Sequence, residues 1–449
     1  MTPRGTGPYG AGDMREVVIG LLGAGNVGGG VARILQENQA DIERRLGASV
    51  RVKKILVRNL ERTRDATMPR ALLTTDPREV LEDPEIRIVV ELMGGIEPAL
   101  TMILEALSRS KHVVTANKAL MATHGKVLFA EAQRRGVAIN FEAAVAGGIP
   151  ILRALREGLA SDRIERITGI VNGTCNYILD AMSRTGATYA DALKDAQAAG
   201  FAEADPTLDV GGGDAAQKLS LLTLLAFGLR VDPAAIATEG ITRVRSFDIA
   251  AADALGYVFK SLAEARQTPE GPALSVHPML VPKEHILATV RGSYNAVLVE
   301  SRAMGRSLYH GRGAGPMPTG MAVVSDIIEL CRHIFAFDAG RPPPEAFSTI
   351  VEAVPRPTSD EAHENYLCVH VTNVPGILGR VASCLGRHEV SVKRLEQDLH
   401  GAGQAVDMVV VTERVPEARV RAAVAEIDGL DEVTGPTHRF RIREPDTIE

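Results

Sequence analysis

A lysine that follows a group of acidic residues stands at the start of an apolar segment in the middle of the chain. Asp214 and Lys218 are four residues apart, so on a helix they share one face and can form an ion pair. The run from Leu219 to Leu229 is apolar on nearly every side and predicts a buried helix. Glu203 and Asp209 precede the pair, and a lysine is seldom interior without such partners. The stretch is therefore a candidate acid–base site, the alternative being a capped helix start whose lysine extends to water.

Composition and charge restrict the class of protein. A chain of 449 residues is long enough for two to four domains. The net charge is -6 and there is no basic run, which argues against a nucleic-acid partner. The four cysteines, at positions 175, 331, 368 and 384, have no paired metal-ligand spacing, as is typical of a reducing compartment. Because neither a signal peptide nor a membrane-spanning run is visible, we expect a cytoplasmic protein with no membrane partner.

A glycine-rich motif follows the first predicted strand. The apolar run from Val17 to Leu22 leads into this motif, and helical spacing continues from Val31 to Leu46. The motif reads Gly23-Ala24-Gly25-Asn26-Val27-Gly28. Strand, G-x-G-x-x-G and helix together are typical of dinucleotide binding, with Gly23 in the tight turn and Gly25 where the pyrophosphate approaches the backbone.

The residues after the second predicted strand favour NADP over NAD. An acidic residue at that point accepts hydrogen bonds from the ribose of NAD, whereas a cation suits the 2′-phosphate of NADP. The strand from Val50 to Val57 is followed by Arg58, with Arg62 and Arg64 nearby. We therefore expect NADP, with NAD also possible, and Arg58 as the phosphate partner.

The alternation of strands and helices continues after this point. Apolar runs begin near Ile88, His112 and Val137, and helical stretches separate them. The pattern predicts an α/β fold with an N-terminal doubly wound Rossmann-type sheet, in which Lys118 and Glu142 follow the carboxyl ends of strands.

The remainder of the chain divides into two further parts. Predicted strands from Ile164, Leu274 and Tyr294 indicate an α+β catalytic and dimerisation domain. A second glycine loop then opens the helix from Gly320 to His333 and could close over a cofactor. The last part has the order βαββαβ, which is ferredoxin-like.

The motifs, taken in order, resemble those of homoserine dehydrogenase, which interconverts L-aspartate 4-semialdehyde and L-homoserine with NAD(P). The resemblance covers nearly the whole chain from Val17, and its segments are GLLGAGNVGGGVARIL, VVELMGGIEPA, VVTANKAL, FEAAVAGGIPI, GIVNGTCNYIL, GFAEADPTLDVGGGDAAQKL and GRGAGPMPTGMAVVSD.

The resemblance implies a role for particular residues. Lys218 would be the catalytic acid/base. Substrate would be bound by Glu203, Asp209, Asp214, Lys118 and Thr174. The cofactor would be bound by Gly23, Gly25, Asn26, Val27, Gly28, Arg58, Lys118 and Gly315. A monovalent cation, expected to be Na⁺, would be held by Glu142, Val145, Gly147 and Ile149 through backbone carbonyls.

The C-terminal part resembles the ACT domain, a sensor of small amino acids that pairs with another copy. Its ligand turn would consist of Asn373, Gly376, Ile377 and Leu378. The expected effector is L-threonine, and the expected assembly is a homodimer or homotetramer. A dimerisation module without ligand is the alternative. The proline-rich linker predicts a separable tail, so a chain cut after Pro357 should lose threonine inhibition and keep its basal activity.

The predicted domain boundaries follow from these segments. They are 1–14 for a disordered N-terminal segment, 15–148 for the dinucleotide-binding domain, 149–310 for the catalytic and dimerisation domain, 311–338 for a return segment, 339–363 for the linker and 364–443 for the ACT domain. Two other functions are the alternatives: a catalytically silent Rossmann–ACT regulator, and another ACT-tailed hydroxyacid dehydrogenase. The intact set of Glu203, Asp214 and Lys218 argues against the first, and the lack of a histidine–carboxylate context at His277 or His310 argues against the second.

Overall fold

The computed structural model describes residues 15–64, 66–338, 351–356, 361–397 and 405–443. The predicted N-terminal segment and most of the predicted linker lie outside these residues. The chain divides into two compact units. The first contains the chain up to Ala160 and its return from Arg312, and the second contains the chain from Ser161 to Gly311 together with the C-terminal residues from Ile350.

The helices and strands of the described residues are numbered in chain order. The α-helices are α1 (Asn26–Glu37), α2 (Gln39–Leu46), α3 (Arg78–Leu81), α4 (Ala99–Ser108), α5 (Lys118–Arg135), α6 (Ile151–Arg153), α7 (Gly173–Thr185), α8 (Tyr189–Ala198), α9 (Thr207–Val210), α10 (Gly213–Phe227), α11 (Ser246–Ala254), α12 (Pro316–Asp338), α13 (Ile377–Arg387) and α14 (Glu417–Ile427). The strands are β1 (Arg15–Leu22), β2 (Ala48–Leu56), β3 (Leu73–Thr74), β4 (Ile86–Glu91), β5 (His112–Thr115), β6 (Ile139–Asn140), β7 (Ile164–Ile170), β8 (Leu229–Arg230), β9 (Ala237–Thr238), β10 (Tyr257–Thr268), β11 (Gly271–Pro282), β12 (Tyr294–Ser301), β13 (Gly305–Arg312), β14 (Val351–Glu352), β15 (Ala362–Thr372), β16 (Val392–Gln397), β17 (Ala405–Thr412), β18 (Val415–Pro416) and β19 (His438–Ile442).

The first unit is built on a parallel sheet with the strand order β3-β2-β1-β4-β5-β6. This is the order of a dinucleotide-binding fold, and it confirms the predicted Rossmann-type architecture. Helices α1 and α12 cross closely, because a Cβ on Gly30 would lie 2.1 Å from the carbonyl oxygen of Pro316. The crossing places the start of α12, and the glycine loop before it, beside the first glycine motif.

The second unit contains a mixed sheet. Among the described residues, its strands run in the order β13-β12-β7-β10-β11-β19-β15-β17-β16. The predicted strands near Ile164, Leu274 and Tyr294 are present as β7, β11 and β12. The sequence analysis did not predict strands β10 and β13. The segment that forms β10 carries Lys260, Glu264 and Arg266, and it lacks the alternation of apolar and polar residues that is typical of a strand.

The four strands β15, β16, β17 and β19 and the helices α13 and α14 have the expected order βαββαβ. The strands lie side by side as β19-β15-β17-β16, paired antiparallel. This spatial order is ferredoxin-like.

The C-terminal strands continue the sheet that carries the middle of the chain. Strand β19 pairs in parallel with β11, with Met279 opposite Arg441 and Leu280 opposite Ile442. One hydrophobic core also spans the junction, where the rings of Phe259 and Phe440 meet edge to face with centroids 4.9 Å apart. Among the described residues, the C-terminal strands therefore share a sheet and a core with residues 161–311. The prediction of a separable tail is wrong for these residues.

Part of the predicted linker also lies against the second unit. Strand β14 pairs with β8, and the Arg356 backbone N–H donates to the Pro272 carbonyl. No helix among the residues the structure describes is long and apolar enough to cross a membrane.

Candidate active site

Lys218 lies in the first half of α10, one turn after Asp214. Its Nζ donates to Asp214 Oδ2 at 2.7 Å and to the carbonyl oxygen of Val171 at 2.7 Å. The lysine side chain is 12% exposed and that of Asp214 is 6% exposed. The ammonium is thus held inside the protein by two acceptors, rather than extended to water as the alternative interpretation required.

The turn between β7 and α7 holds the acidic residues of this site. Asn172 Nδ2 donates to Asp209 Oδ1 at 2.7 Å and to Asp214 Oδ2 at 2.8 Å. Asn172 Oδ1 accepts from the Cys175 backbone N–H and caps α7. Cys175 is buried, which raises the pKa of its thiol, and its Sγ donates to the Asp209 carbonyl. Of the predicted carboxylates, Asp214 therefore contacts Lys218 directly, and Asp209 is joined to Asp214 through Asn172.

The other predicted substrate residues of this unit lie in or beside the loop before α9. Glu203 is exposed, and its backbone carbonyl accepts from Gln197 Nε2 at 3.1 Å. Thr174 is buried, and its hydroxyl donates to the Phe201 carbonyl at 2.6 Å. Thr174 thus holds this loop, and the Glu203 carboxylate lies at the exposed part of it.

The two glycine loops of the first unit line one cavity of about 530 Å³. Its lining includes Gly25, Asn26 and Gly315, as expected for two loops that face the same ligand. Gly23 has a φ of +111°, and a Cβ there would lie 2.9 Å from the Leu92 carbonyl oxygen. Gly25 has open space around its Cβ position, and the cavity provides the room that a pyrophosphate needs.

Arginines from the loop after β2 line the same cavity. Arg62 and Arg64 belong to the lining, whereas Arg58 is exposed and is not among the described residues that form it. Arg64 donates from Nη1 to the Arg62 carbonyl and from Nη2 to the Asn59 carbonyl. Its Nε is buried without a hydrogen-bond partner in the described structure. The geometry therefore favours Arg64 over the predicted Arg58 as a phosphate partner.

Lys118 begins α5 at the carboxyl end of β5. Asn117 caps this helix, with its Oδ1 accepting from the Leu120 N–H at 3.1 Å and its Nδ2 donating to the Gly95 carbonyl. The buried Glu91 carboxylate accepts from Thr115 Oγ1 at 2.6 Å and from the Met93 N–H at 2.7 Å. Hydrogen bonds thus fix the loops after β4 and β5, and with them the position of Lys118.

The loop predicted to hold a monovalent cation contains Glu142, Val145, Gly147 and Ile149. The Glu142 carboxylate accepts from the backbone N–H groups of Leu152 and Arg153, at 2.9 and 2.8 Å. The backbone is left-handed at Gly147, with φ +49°, and a Cβ there would lie 2.4 Å from the Gly313 carbonyl oxygen. The carboxylate of Glu142 is therefore engaged, and its backbone carbonyl accepts from the Val145 N–H at 3.3 Å, which leaves a second lone pair on that oxygen.

Asp326 is a buried acid beside this loop, and its Oδ2 accepts from the Glu142 backbone N–H at 2.8 Å. Burial, together with the neighbouring Glu142 carboxylate, raises the pKa of Asp326 well above its usual value. A carboxyl whose pKa is raised on folding contributes stability below its unfolded pKa of about 4, and this contribution is lost as pH rises through the folded pKa.

We therefore expect the melting temperature of Asp326→Asn, relative to the wild type, to rise as pH increases from 5 to 8. Asparagine has no charge to desolvate and its Oδ1 can still accept from the Glu142 N–H. Thermal unfolding of both proteins across this range checks the prediction. Asp162→Asn is the control: hydrogen bonds from Ser301, Ala303 and Met304 lower the pKa of Asp162 to about 2, so its offset should be constant over the same range. A constant offset for Asp326→Asn as well would contradict the prediction.

Curated proteins related to this chain extend over almost its whole length. A homoserine dehydrogenase of Neisseria gonorrhoeae is 42% identical over 431 residues, which cover 96% of this chain and 99% of that protein. The chain belongs to the homoserine dehydrogenase family. The family models agree: "Homoserine dehydrogenase, NAD binding domain" matches residues 23–142 and "Homoserine dehydrogenase" matches residues 150–328.

Solved homoserine dehydrogenases have the same fold. One from Thiobacillus denitrificans has a TM-score of 0.90 and 43% identity, covering 96% of this chain and 99% of its own. A hyperthermophilic archaeal homoserine dehydrogenase in complex with NADPH has a TM-score of 0.59 and 26% identity, covering 70% of this chain and 97% of its own. The enzyme class predicted from the sequence, an oxidoreductase with a nucleotide-binding domain, is thereby confirmed.

Sequence reasoning missed two groups at the sites of this homoserine dehydrogenase. Asn172 was treated only as part of a motif, although an asparagine immediately before a glycine at a helix start is a recognised capping signal. The Val171 carbonyl gives no sequence signal, because any residue can supply it.

Proposed function

We propose that this homoserine dehydrogenase interconverts L-aspartate 4-semialdehyde and L-homoserine with NADP(H), within threonine, methionine and isoleucine biosynthesis, and that Lys218 is its general acid/base. The observation that carries the proposal is the position of the Lys218 side chain, which is 12% exposed and whose ammonium donates to Asp214 and to the Val171 carbonyl. We also infer a reducing, cytoplasmic setting from the four cysteines, which are free and buried.

The hydrogen-bond capacity of Lys218 supports this role. An ammonium has three N–H donors, and two of them are used by Asp214 Oδ2 and the Val171 carbonyl. The third is left for the oxygen of the substrate. A bound nicotinamide dinucleotide supplies the hydride when the aldehyde is reduced. Lys218 then donates a proton to the oxygen as negative charge develops on it, and accepts the proton back in the reverse direction.

Asp214 orients the Lys218 ammonium, because its Oδ2 accepts a hydrogen bond from Nζ at 2.7 Å. The α-ammonium of the amino-acid substrate needs a second anion, and we assign it to Asp209 and Glu203. Asn172 joins Asp209 to Asp214, the partner of the lysine, and Glu203 lies in the exposed loop that Thr174 holds. Lys118, at the carboxyl end of β5 in the first unit, is proposed to contact the nicotinamide end of the cofactor and the substrate.

The preference for NADP is assigned to Arg64, with Arg62 beside it. Loss of a charge-assisted hydrogen bond to a phosphate costs roughly 1.5–3 kcal/mol. We therefore expect Arg64→Ala to weaken NADP binding by roughly ten- to a hundredfold and to leave NAD almost unchanged. Dissociation constants for both cofactors, measured for alanine variants at positions 58, 62 and 64, check this assignment. The largest specific loss at Arg58 would restore the phosphate partner expected from the sequence.

A monovalent cation, expected to be Na⁺, fits the carbonyl-rich loop from Glu142 to Ile149. Its donors would be the backbone carbonyls of Glu142, Val145, Gly147 and Ile149. The left-handed backbone at Ala146 and Gly147 supports this assignment, because it turns successive carbonyls away from regular pairing. The cation would supply only local order to this loop.

We propose that L-threonine inhibits the enzyme by binding to the ferredoxin-like C-terminal part, which we assign as an ACT domain. We also propose that this domain pairs with another subunit in a homodimer or homotetramer. Gly376 caps α13 with a φ of +91°, Ile377 is buried and Leu378 is exposed. The turn from Asn373 thus offers a helix N-terminus for a carboxylate, with the Asn373 side chain assigned to the amino group.

The route from this part to Asp209 runs through the segment between β9 and α11. Arg441 of β19 donates to the Glu239 carboxylate at 3.2 Å, and the Ile241 N–H donates to the Val210 carbonyl at 2.9 Å. Asp209 directly precedes Val210. A shift of β19 would therefore reach Asp209 in α9 without passing through the linker, and the free energy of coupling expected between two such sites is about 1–3 kcal/mol.

Oxidation of L-homoserine with NADP and NAD side by side tests the proposed activity, with and without L-threonine and with D-threonine as the control effector. Turnover with NADP, inhibited by L-threonine alone, is expected. Turnover that L-threonine leaves unchanged would remove the regulatory proposal and keep the enzymatic one. No homoserine-dependent reduction of either cofactor would favour a silent regulator.

A further inference from the structure

We propose that Asn172 is a positioning residue that holds Asp209 and Asp214 in place for Lys218. This inference rests on the proposed role of Lys218 as acid/base. Asn172 is 5% exposed, and its side chain bonds to three partners: Asp209 Oδ1 at 2.7 Å, Asp214 Oδ2 at 2.8 Å and the Cys175 backbone N–H at 2.8 Å.

The orientation of this amide is fixed by its surroundings. The oxygen accepts from the first turn of α7, so both N–H donors of Nδ2 point at carboxylate oxygens. A flipped amide would put its oxygen against two carboxylates and a donor against a backbone N–H. Only one of the two orientations is therefore compatible with the site.

Asn172 relieves a local electrostatic problem. Asp209 and Asp214 are like charges that reach the same side-chain nitrogen, and two carboxylates in close contact disfavour joint ionisation. Hydrogen bonds donated to a carboxylate favour its charged form. A neutral amide with two donors can serve both acids at once without adding a charge that would compete with Lys218 for Asp214.

The same turn of the chain supports Lys218 from two sides. Asp214 Oδ2 accepts from both Asn172 and Lys218, and the carbonyl of Val171, the residue just before Asn172, accepts from Lys218 as well. The turn itself is restrained, since a Cβ on Gly173 would lie 2.8 Å from the Ser293 carbonyl oxygen. Asn172 therefore determines which Asp214 oxygen faces the lysine and how the ammonium is directed.

Asn172 has a second role as the cap of α7, and the experiment must separate the two. Asn172→Ser keeps an oxygen that caps the helix and loses both donors to the carboxylates. Asn172→Asp keeps the size and the cap, and places a third carboxylate in the cluster. Thr188→Ala is the matched control for capping alone, because the Thr188 hydroxyl accepts from the backbone N–H of Asp191 at the start of α8.

We expect kcat for homoserine oxidation to fall by roughly 10- to 100-fold in Asn172→Ser, the range implied by losing the charge-assisted hydrogen bond to Asp214, the carboxylate that contacts Lys218. The melting temperature should stay close to that of Thr188→Ala. In the direction of aldehyde reduction, where Lys218 starts as the ammonium, the acidic limb of the kcat–pH profile should move to higher pH in Asn172→Ser and further in Asn172→Asp, because each change disfavours the charged form of the Asp214 carboxylate that orients the ammonium. Circular dichroism checks that both variants are folded.

Wild-type kcat and pH profile in Asn172→Ser would leave Asn172 as a helix cap only and would overturn this inference. If Asn172→Ser fails to fold, the isosteric Asn172→Asp decides: an unshifted pH profile there also overturns it. Failure of the proposed function is seen separately, as normal turnover in Lys218→Ala. An inactive Lys218→Ala with an unaffected Asn172→Ser would reject this inference alone.

Discussion

Lys218→Ala is expected to lower turnover of homoserine by roughly 10²- to 10⁴-fold, the contribution typical of a positioned acid or base. The variant removes the ammonium that bonds to Asp214 and the Val171 carbonyl, and with it the proton donor of the site. The residues that line the dinucleotide cavity belong to the first unit, so the dissociation constant for NADP should stay near the wild-type value. Steady-state kinetics and a fluorescence titration with NADPH measure the two quantities.

Lys194→Ala is the matched control for Lys218→Ala. Lys194 lies in α8 of the same unit and is exposed, so its loss should leave turnover unchanged. An active Lys218→Ala would end the assignment of Lys218. Equal losses of turnover and of NADP affinity would point to misfolding, which the melting temperature would detect.

The first unit could be predicted well because its information is local. A buried strand, a glycine motif and a helix follow one another within Val17 to Leu46, and each has its own sequence signal. Residues of this motif also line a cavity in the structure, which we propose holds the cofactor. The choice among Arg58, Arg62 and Arg64 could not be made from the sequence, because it depends on how the loop after β2 folds back over the cavity.

The acid–base cluster could be predicted only in part. The spacing of four residues between Asp214 and Lys218 fixes their contact on α10, and the structure has that contact. Asn172, by contrast, is 42 residues from Asp214, and their hydrogen bond requires the start of α7 to meet the start of α10. Glu203 is acidic and close in sequence to the pair, yet it lies in an exposed loop. Proximity along the chain does not determine whether a side chain faces the site or the solvent.

The junction of the C-terminal part was not visible in the sequence. Met279 and Arg441 pair in adjacent strands although they are far apart in the chain, and strand neighbours of this kind leave no local pattern. The junction includes Arg245, Asp248 and His438, residue types that in a sequence usually indicate solvent-exposed positions. In the structure Asp248 is fully buried and accepts hydrogen bonds from Arg245 and from the Tyr366 hydroxyl.

Phe440→Ala is the second large expected effect, and it tests whether the C-terminal strands belong to the same cooperative unit as residues 161–311. Phe440 is 6% exposed and packs on Phe259 of β10 and near Tyr366 of β15. Replacing a buried phenylalanine with alanine costs about 3–5 kcal/mol. For a unit of this size we expect the melting temperature to fall by roughly 10 °C.

The fall should occur in one transition that includes both parts of the sheet. Differential scanning calorimetry measures it, with Leu378→Ala as the control, because Leu378 lies in the C-terminal part but is 42% exposed. Two separate transitions, of which only one moves in Phe440→Ala, would mean that the C-terminal part unfolds by itself.

A chain that ends at residue 357 gives the stronger form of the same test. It lacks β15, β16, β17 and β19, so β11 loses the neighbour that pairs with it at Leu280, and Phe259 loses the ring of Phe440. The pKa of Glu264 is below its usual value, because Arg443 and two other nearby arginines outweigh the effect of burial, which raises it. The shortened chain lacks Arg443. A buried carboxylate without its partner and an uncovered apolar face both destabilise the folded state.

We therefore expect the chain that ends at residue 357 to be poorly soluble and to lack homoserine oxidation, because residues 161–311 depend on the C-terminal strands for part of their core. A soluble product that oxidises homoserine at the full-length rate would show instead that residues 161–311 fold without them.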